Sequence, residues 1–151
     1  LKGYKTGNYE ESFEEIVEYV DSHYRTIRKK EKRAVAGLSM GGFHSLFIAL
    51  NHPEKFSYVG LLSAGLNTAF LDMTKPAYKD MEAKLKNFQK EGYDLFWIAC
   101  GKDDFLYQNN LDFMKTCDNI GFEYTYHESE RGHIWANWRQ YLLLLTPMLF
   151  R

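Results

Sequence analysis

An apolar run after Arg33, Ala34-Val35-Ala36-Gly37-Leu38, passes through Ser39-Met40-Gly41-Gly42 straight into the helical pattern Phe43, Leu46, Phe47, Leu50. No feature constrains the chain more. A strand that becomes a helix within three residues leaves no room for a loop. It therefore predicts a tight βα unit, with a strand over Ala34 to Leu38 and a helix from about Gly42 to Asn51. The turn reads G-x-S-x-G, Gly37 to Gly41. A serine on so sharp a turn is held in a strained backbone conformation, and its neighbours two residues away must be small. Its hydroxyl is lifted above the carboxyl end of the sheet, and the Met40 N–H lies at a helix N-terminus, facing any developing oxyanion. An ordinary glycine-rich turn or a phosphate-binding turn could share the pattern, so the rest of the chain has to decide.

The remaining chain alternates. An opening loop is expected over 1–8, then a helix from Ser12, with Ser12 and Glu15 as a capping box and Phe13, Ile16, Val17, Val20 and Tyr24 as its apolar stripe. Arg25 to Arg33 reads as a charged surface turn, and His52-Pro53 ends the elbow helix. A strand follows over Phe56 to Ser63, apolar on both faces near its end, as a central parallel strand should be. Then come a loop over Ala64 to Pro76 with the makings of a pocket lining, and a helix over Tyr78 to Glu91. A strand over Asp94 to Cys100 leads to the loop Gly101-Lys102-Asp103-Asp104, and a helix over Gln108 to Asn119 ends at Gly121. A strand over Phe122 to Glu128, the loop Ser129 to His133 and a helix over Trp135 to Leu149, with Trp138, Tyr141, Leu142 and Leu145 facing in, complete the order α, β-α, β-α, β-α, β-α. Such alternation predicts an α/β fold, one parallel sheet with helices on both faces and reactive loops at the carboxyl ends of its strands.

Composition excludes more than it assigns. At 151 residues the chain suffices for one domain with a real core. A net charge of −1 makes no case for nucleic acid or for a basic membrane-surface patch, and no apolar run reaches membrane-spanning length. No signal peptide opens the chain, so either it was removed or the sequence starts inside a gene. Cys100 and Cys117 form no metal motif and read as two buried thiols, and the compartment stays open.

A serine hydroxyl needs an imidazole to take its proton, and the imidazole needs a carboxylate to fix its tautomer. Ser39 follows the first strand, Asp103 and Asp104 the third, and a histidine loop the fourth, in the chain order Ser…Asp…His of the α/β-hydrolase arrangement. Of five histidines, His23 sits on the polar side of the first helix, His44 lies one turn into the elbow helix, His52 ends a helix and His127 reads as an exposed strand residue. Only His133 lies in a glycine-flanked loop between a strand and a helix, which makes it the candidate base. Only one of the two adjacent aspartates can face it. Phe105, Tyr107 and Trp135 flank the acid and the base, and could contact an aromatic acyl group or simply pack in the core.

Gly37-Leu38-Ser39-Met40-Gly41-Gly42, the strand end Cys100-Gly101-Lys102-Asp103-Asp104, and Gly132-His133 followed by Trp135 resemble the esterase-D-like α/β-hydrolases, and within them the feruloyl and acetyl-xylan esterase group. The resemblance is nearly continuous over Arg33 to Ala64 and weak elsewhere. It implies a three-layer α/β-hydrolase fold and a cofactor-free ester hydrolase. In it Ser39 is the nucleophile, His133 the base, Asp104 (the end of a G-x-x-D loop) the acid, and Met40 N–H one oxyanion donor. The implied substrates are feruloyl or acetyl esters of plant cell-wall polysaccharide, and the implied location is secreted or periplasmic. An acyl transferase or thioesterase would use the same triad. The family's domain is longer, so 1–151 resembles its carboxyl-terminal half as a single partial domain. The half that would supply the first strands and a second oxyanion donor is without a counterpart. This leaves open a missing amino-terminal half, a homo-oligomer, or a non-catalytic half-domain.

Overall fold

In a computed structural model, residues 8–66, 72 and 74–151 are described. Four strands, β1 (Ala34–Leu38), β2 (Tyr58–Leu62), β3 (Leu95–Gly101) and β4 (Thr125–Ser129), form one parallel sheet in the order β1-β2-β3-β4. Among the described residues, five α-helices accompany them: α1 (Asn8–His23), α2 (Met40–Asn51), α3 (Met81–Glu91), α4 (Tyr107–Ile120) and α5 (Trp135–Leu145). The register pairs Leu38 with Leu62, Leu62 with Ala99, and Gly101 with Ser129. The carboxyl ends of the strands are thus level, and the loops leaving them lie side by side. The described helices include none long and apolar enough to cross a membrane.

Side chains alternate across the sheet, as strand geometry demands. Val35, Val59, Leu61, Phe96 and Ile98 face the larger core, built with Phe43, Phe47, Leu85, Phe88, Phe113 and Cys117 of α2, α3 and α4. Tyr58, Leu62, Leu95, Trp97 and Ala99 face the other way, onto Tyr141 and Leu145 of α5. A Cβ on Gly60 would come within 2.6 Å of Leu145 Cδ2, so glycine there lets α5 lie directly on β2. With α5 seated over β2 and β3, β1 is only partly covered on that face: Ala34 packs against the smaller core, but Ala36 is exposed and Leu38 half-buried.

Several element boundaries move. The first helix begins at Asn8, which puts Ser12 and Glu15 inside it and removes the capping box. Its stripe is only partly buried. Phe13 and Val17 pack on the larger core, while Ile16 and Val20 are exposed along a groove beside β1 and Tyr24 is exposed as well. A 3-10 turn, Lys30–Lys32, interrupts the charged segment. The last helix stops at Leu145 and continues as a 3-10 turn, Thr146–Met148, around Pro147, and Leu142 faces outward rather than in. The strand expected from Phe122 pairs only from Thr125. His127 is half-buried rather than exposed, with its ring stacked 6.1 Å from Trp97. The opening loop lies almost wholly outside the described residues, as do residues 67–71 and 73 of the expected pocket-lining loop.

Candidate active site

Ser39 sits between β1 and α2 with φ 56° and ψ −116°, a conformation that costs an L-residue on the order of 1–3 kcal/mol. Four backbone hydrogen bonds hold it there. Its N–H donates to Leu62 O (2.9 Å), and its carbonyl accepts from Gly42, Phe43 and Gly65 N–H (3.1, 3.2 and 3.0 Å). The glycines around it have unequal roles. A Cβ on Gly37 would lie 2.1 Å from Gly41 O, and one on Gly42 2.6 Å from Ala64 Cβ. A Cβ on Gly41 would meet nothing within 4 Å among the described residues. Crowding at the turn therefore requires Gly37 and Gly42, not Gly41. Met40 is the first residue of α2, and its N–H has no acceptor within the helix.

Asp104 and His133 are brought together by two loops that run as a pair. Lys102 N–H donates to Ser129 O (2.9 Å) and Asp103 N–H to Arg131 O (3.1 Å). Both loops need glycine where they touch: a Cβ on Gly101 would sit 2.1 Å from Arg131 O, and one on Gly132 2.8 Å from Asp103 O. Asp103 is left exposed, while the Asp104 side chain is fully buried. The carboxylate of Asp104 accepts Leu106 N–H at 2.9 Å and stands 2.9 and 3.1 Å from His133 Nδ1. A carboxylate accepts only, so Nδ1 carries the proton and Nε2 of a neutral ring is the free base.

Four residues that sequence reasoning did not single out for the site fasten this arrangement. Asn137, in the first turn of α5, donates from Nδ2 to Glu130 O and Gly132 O (2.9 and 3.0 Å), clamping the histidine loop. Trp138 packs edge-on to His133, ring centroids 4.9 Å apart, and donates its Nε1–H to Ser63 Oγ at 3.3 Å. Ser63 directly follows Leu62, whose carbonyl anchors Ser39, so a continuous path of contacts links the imidazole to the elbow. Asn110 of α4 is wholly buried. It bonds Ala64 O and Leu106 O (both 2.9 Å), tying the loop after β2 to the loop of Asp104. The available signal was position alone: Asn137 stands four residues after His133, on the first helical turn.

The flanking aromatics separate. Phe105 is 74% exposed with its ring 4.7 Å from the His133 ring, and Trp135 is 67% exposed against Trp138. Tyr107 instead gives its hydroxyl to Glu128 (2.6 Å), in a surface cluster with Lys102 and Glu130. That bond holds the Glu128 carboxyl below its usual range and raises the Tyr107 phenol. Cys100, buried beneath the site, is pushed up to about 12, first by burial and then by the nearby Asp104 charge, so it stays a thiol.

Comparison with known proteins agrees with this architecture. Residues 2–148 match the Esterase family, whose description reads "Putative esterase". An acetyl esterase of Caldicellulosiruptor saccharolyticus is 29% identical over 154 residues, 85% of this chain and 58% of that protein. An endo-1,4-beta-xylanase/feruloyl esterase of Xylanibacter ruminicola is 46% identical over 52 residues, 34% of this chain and 7% of that protein. The structure of the S-formylglutathione hydrolase of Staphylococcus aureus superposes with a TM-score of 0.75 at 28% identity, over 97% of this chain and 64% of that one. The chain thus spans less than two thirds of the length of these relatives. With a four-stranded parallel sheet, a strained serine elbow and this match over nearly all its length, the chain belongs to the Esterase family and has the fold of the esterase-like α/β-hydrolases.

Proposed function

We propose that this chain carries the catalytic residues of a serine esterase acting on feruloyl or acetyl esters of plant cell-wall polysaccharide. The observation that carries the reading is the buried Asp104–His133 pair joined, through Trp138 and Ser63, to a serine in strained elbow geometry. In this reading His133 Nε2 takes the Ser39 proton as Oγ attacks the ester carbonyl. Met40 N–H, at the positive end of α2, receives the developing oxyanion. His133 then returns the proton to the leaving alcohol, and water repeats the sequence on the acyl-enzyme. The acetyl esterase and the xylanase/feruloyl esterase among the relatives support the substrate class. Likeness to an S-formylglutathione hydrolase favours one second reading, a thioester hydrolase with the same residues. Comparing matched oxygen and thiol esters separates the two.

The 151 residues are proposed to form one partial domain, whose β1 edge, unpaired among the described residues, and adjoining groove receive further strands of the same fold, including a second oxyanion donor. Relatives longer than this chain and the partly covered face of β1, where Ala36 is exposed and Leu38 half-buried, support this. The nucleophile is tested by labelling. A fluorophosphonate probe should modify Ser39, and Ser39→Ala should abolish the adduct. Modification of another serine in folded protein would overturn the assignment.

A further inference from the structure

Two large aromatic side chains stand in the open beside the proposed base. The rings Phe105, His133, Trp138 and Trp135 form a chain of contacts with centroids 4.7, 4.9 and 5.1 Å apart. Its inner members are fixed: His133 by Asp104 and Trp138 by its bond to Ser63. Its outer members, Phe105 and Trp135, are 74% and 67% exposed, and Ile134, next to His133 in the chain, is 40% exposed. Isolated exposed apolar residues are ordinary, but a contiguous apolar patch against a reactive group marks a binding surface.

We infer that Phe105 and Trp135 form the subsite for the alcohol portion of the ester, the sugar of the polysaccharide esters proposed above. The inference rests on the serine-esterase reading above. In that reading His133 hands its proton to the leaving alcohol oxygen, which must come within about 3 Å of the imidazole. The group attached to that oxygen therefore lies against Phe105 and Trp138, the rings touching His133, and Trp135 extends that surface through its contact with Trp138. The acyl carbon lies toward Ser39 and Met40, at the start of α2. An aromatic face carries negative charge density and accepts the polarised C–H bonds of a pyranose ring, while the sugar hydroxyls remain in water. The position assigns the two aromatics to the alcohol and not to an aromatic acyl group, the contact first suggested by their place in the sequence.

The test uses the complete gene product and four esters: acetyl and feruloyl esters of methanol, and the same two acids on a hydroxyl of methyl β-xyloside. For each acid, Trp135→Ala and Phe105→Ala should each lower the ratio of kcat/KM for the xyloside ester over the methyl ester by about two- to tenfold, the size expected of one aromatic contact. Trp135→Tyr should restore most of that ratio. A loss that follows feruloyl against acetyl, whatever the alcohol, would move the rings to the acyl side and overturn the inference. Equal losses on all four esters would reduce the rings to supports of His133 and overturn it as well, as would no loss. Fluorophosphonate labelling of Ser39 keeps the two readings distinct. An unlabelled parent enzyme defeats the serine mechanism itself, whereas a labelled parent with an unchanged ratio defeats only the subsite.

Discussion

Asp103 and Asp104 are neighbours in the chain, yet only one of them meets the imidazole. The Asp103 side chain is exposed, and its backbone is spent on the contact with Arg131 and Gly132. The Asp104 carboxylate is buried, braced by Leu106 N–H and paired with His133 Nδ1. In the proposed mechanism that pairing sets which nitrogen is free to accept the serine proton. Asp104→Asn should therefore lower kcat by about 10⁴-fold with the fold intact, because the amide can present an N–H and reverse the tautomer. Asp103→Asn should change kcat little. Steady-state kinetics on the complete enzyme checks both, and the opposite ranking would transfer the orienting role to Asp103.

At the level of elements, β3 and α4 bury a thiol each, Cys100 and Cys117. Both are raised from 9.0 to about 12, chiefly by burial, with Asp104 and Asp118 respectively adding repulsion. A thiol whose folded value lies above its unfolded value binds its proton more tightly in the fold. Its contribution to stability is complete below about pH 9 and is lost as pH rises toward 12. The urea midpoint should accordingly begin to fall above about pH 9, and a thiol reagent should leave native protein unmodified at pH 8 while labelling both cysteines in denaturant. Rapid labelling of either residue in native protein would contradict the burial. The sign is shared by Tyr93 and Tyr124, also raised to about 12 mainly by burial, so the alkaline loss belongs to the packed elements collectively.

On the scale of the molecule, the two edges of the sheet differ. β4 ends the sheet with half-buried and exposed side chains, Thr125 to Ser129. β1 carries the elbow, and beside it runs a groove of about 770 Å³ lined by residues such as Phe13, Ile16, Val20, Ile27, Phe56 and Phe150. On the opposite face Leu142, Leu143 and Leu144 of α5 are exposed. A strand edge with unpaired N–H and C=O groups beside apolar surface is a template for pairing. The 151 residues taken alone should therefore be folded but associated in solution. They should also be slow on a small aryl ester, since one absent oxyanion donor costs ~10²–10³ in kcat. Light scattering and a hydrolysis assay check this. A monodisperse monomer as active as longer relatives would refute the partial-domain reading.

What the chain determines locally could be read without coordinates. The strand-serine-helix junction, the periodicity of α2, the buried runs of β2 and β3 and the glycine ending α4 are short-range properties. Gly121, at φ 69°, sits where the pattern puts a helix cap. Nearest-neighbour chemistry also narrowed the candidate base to the one histidine in a glycine-flanked loop, which the structure places against Asp104. Other features depended on what lies across a gap that sequence spacing does not measure. Ser12 reads as a cap, yet lies within α1. Leu142 fits the inward stripe of the last helix, but α5 meets the sheet through Tyr141 and Leu145, closing on Gly60, and Leu142 turns outward. Gly41 belongs to the sequence motif, but the close approaches fall on Gly37 and Gly42, because Gly41 O and Ala64 are what come near. Which aspartate faces His133, and which asparagines and tryptophan brace its loop, followed only from two loops meeting at the ends of β3 and β4, a long-range contact that no local pattern encodes.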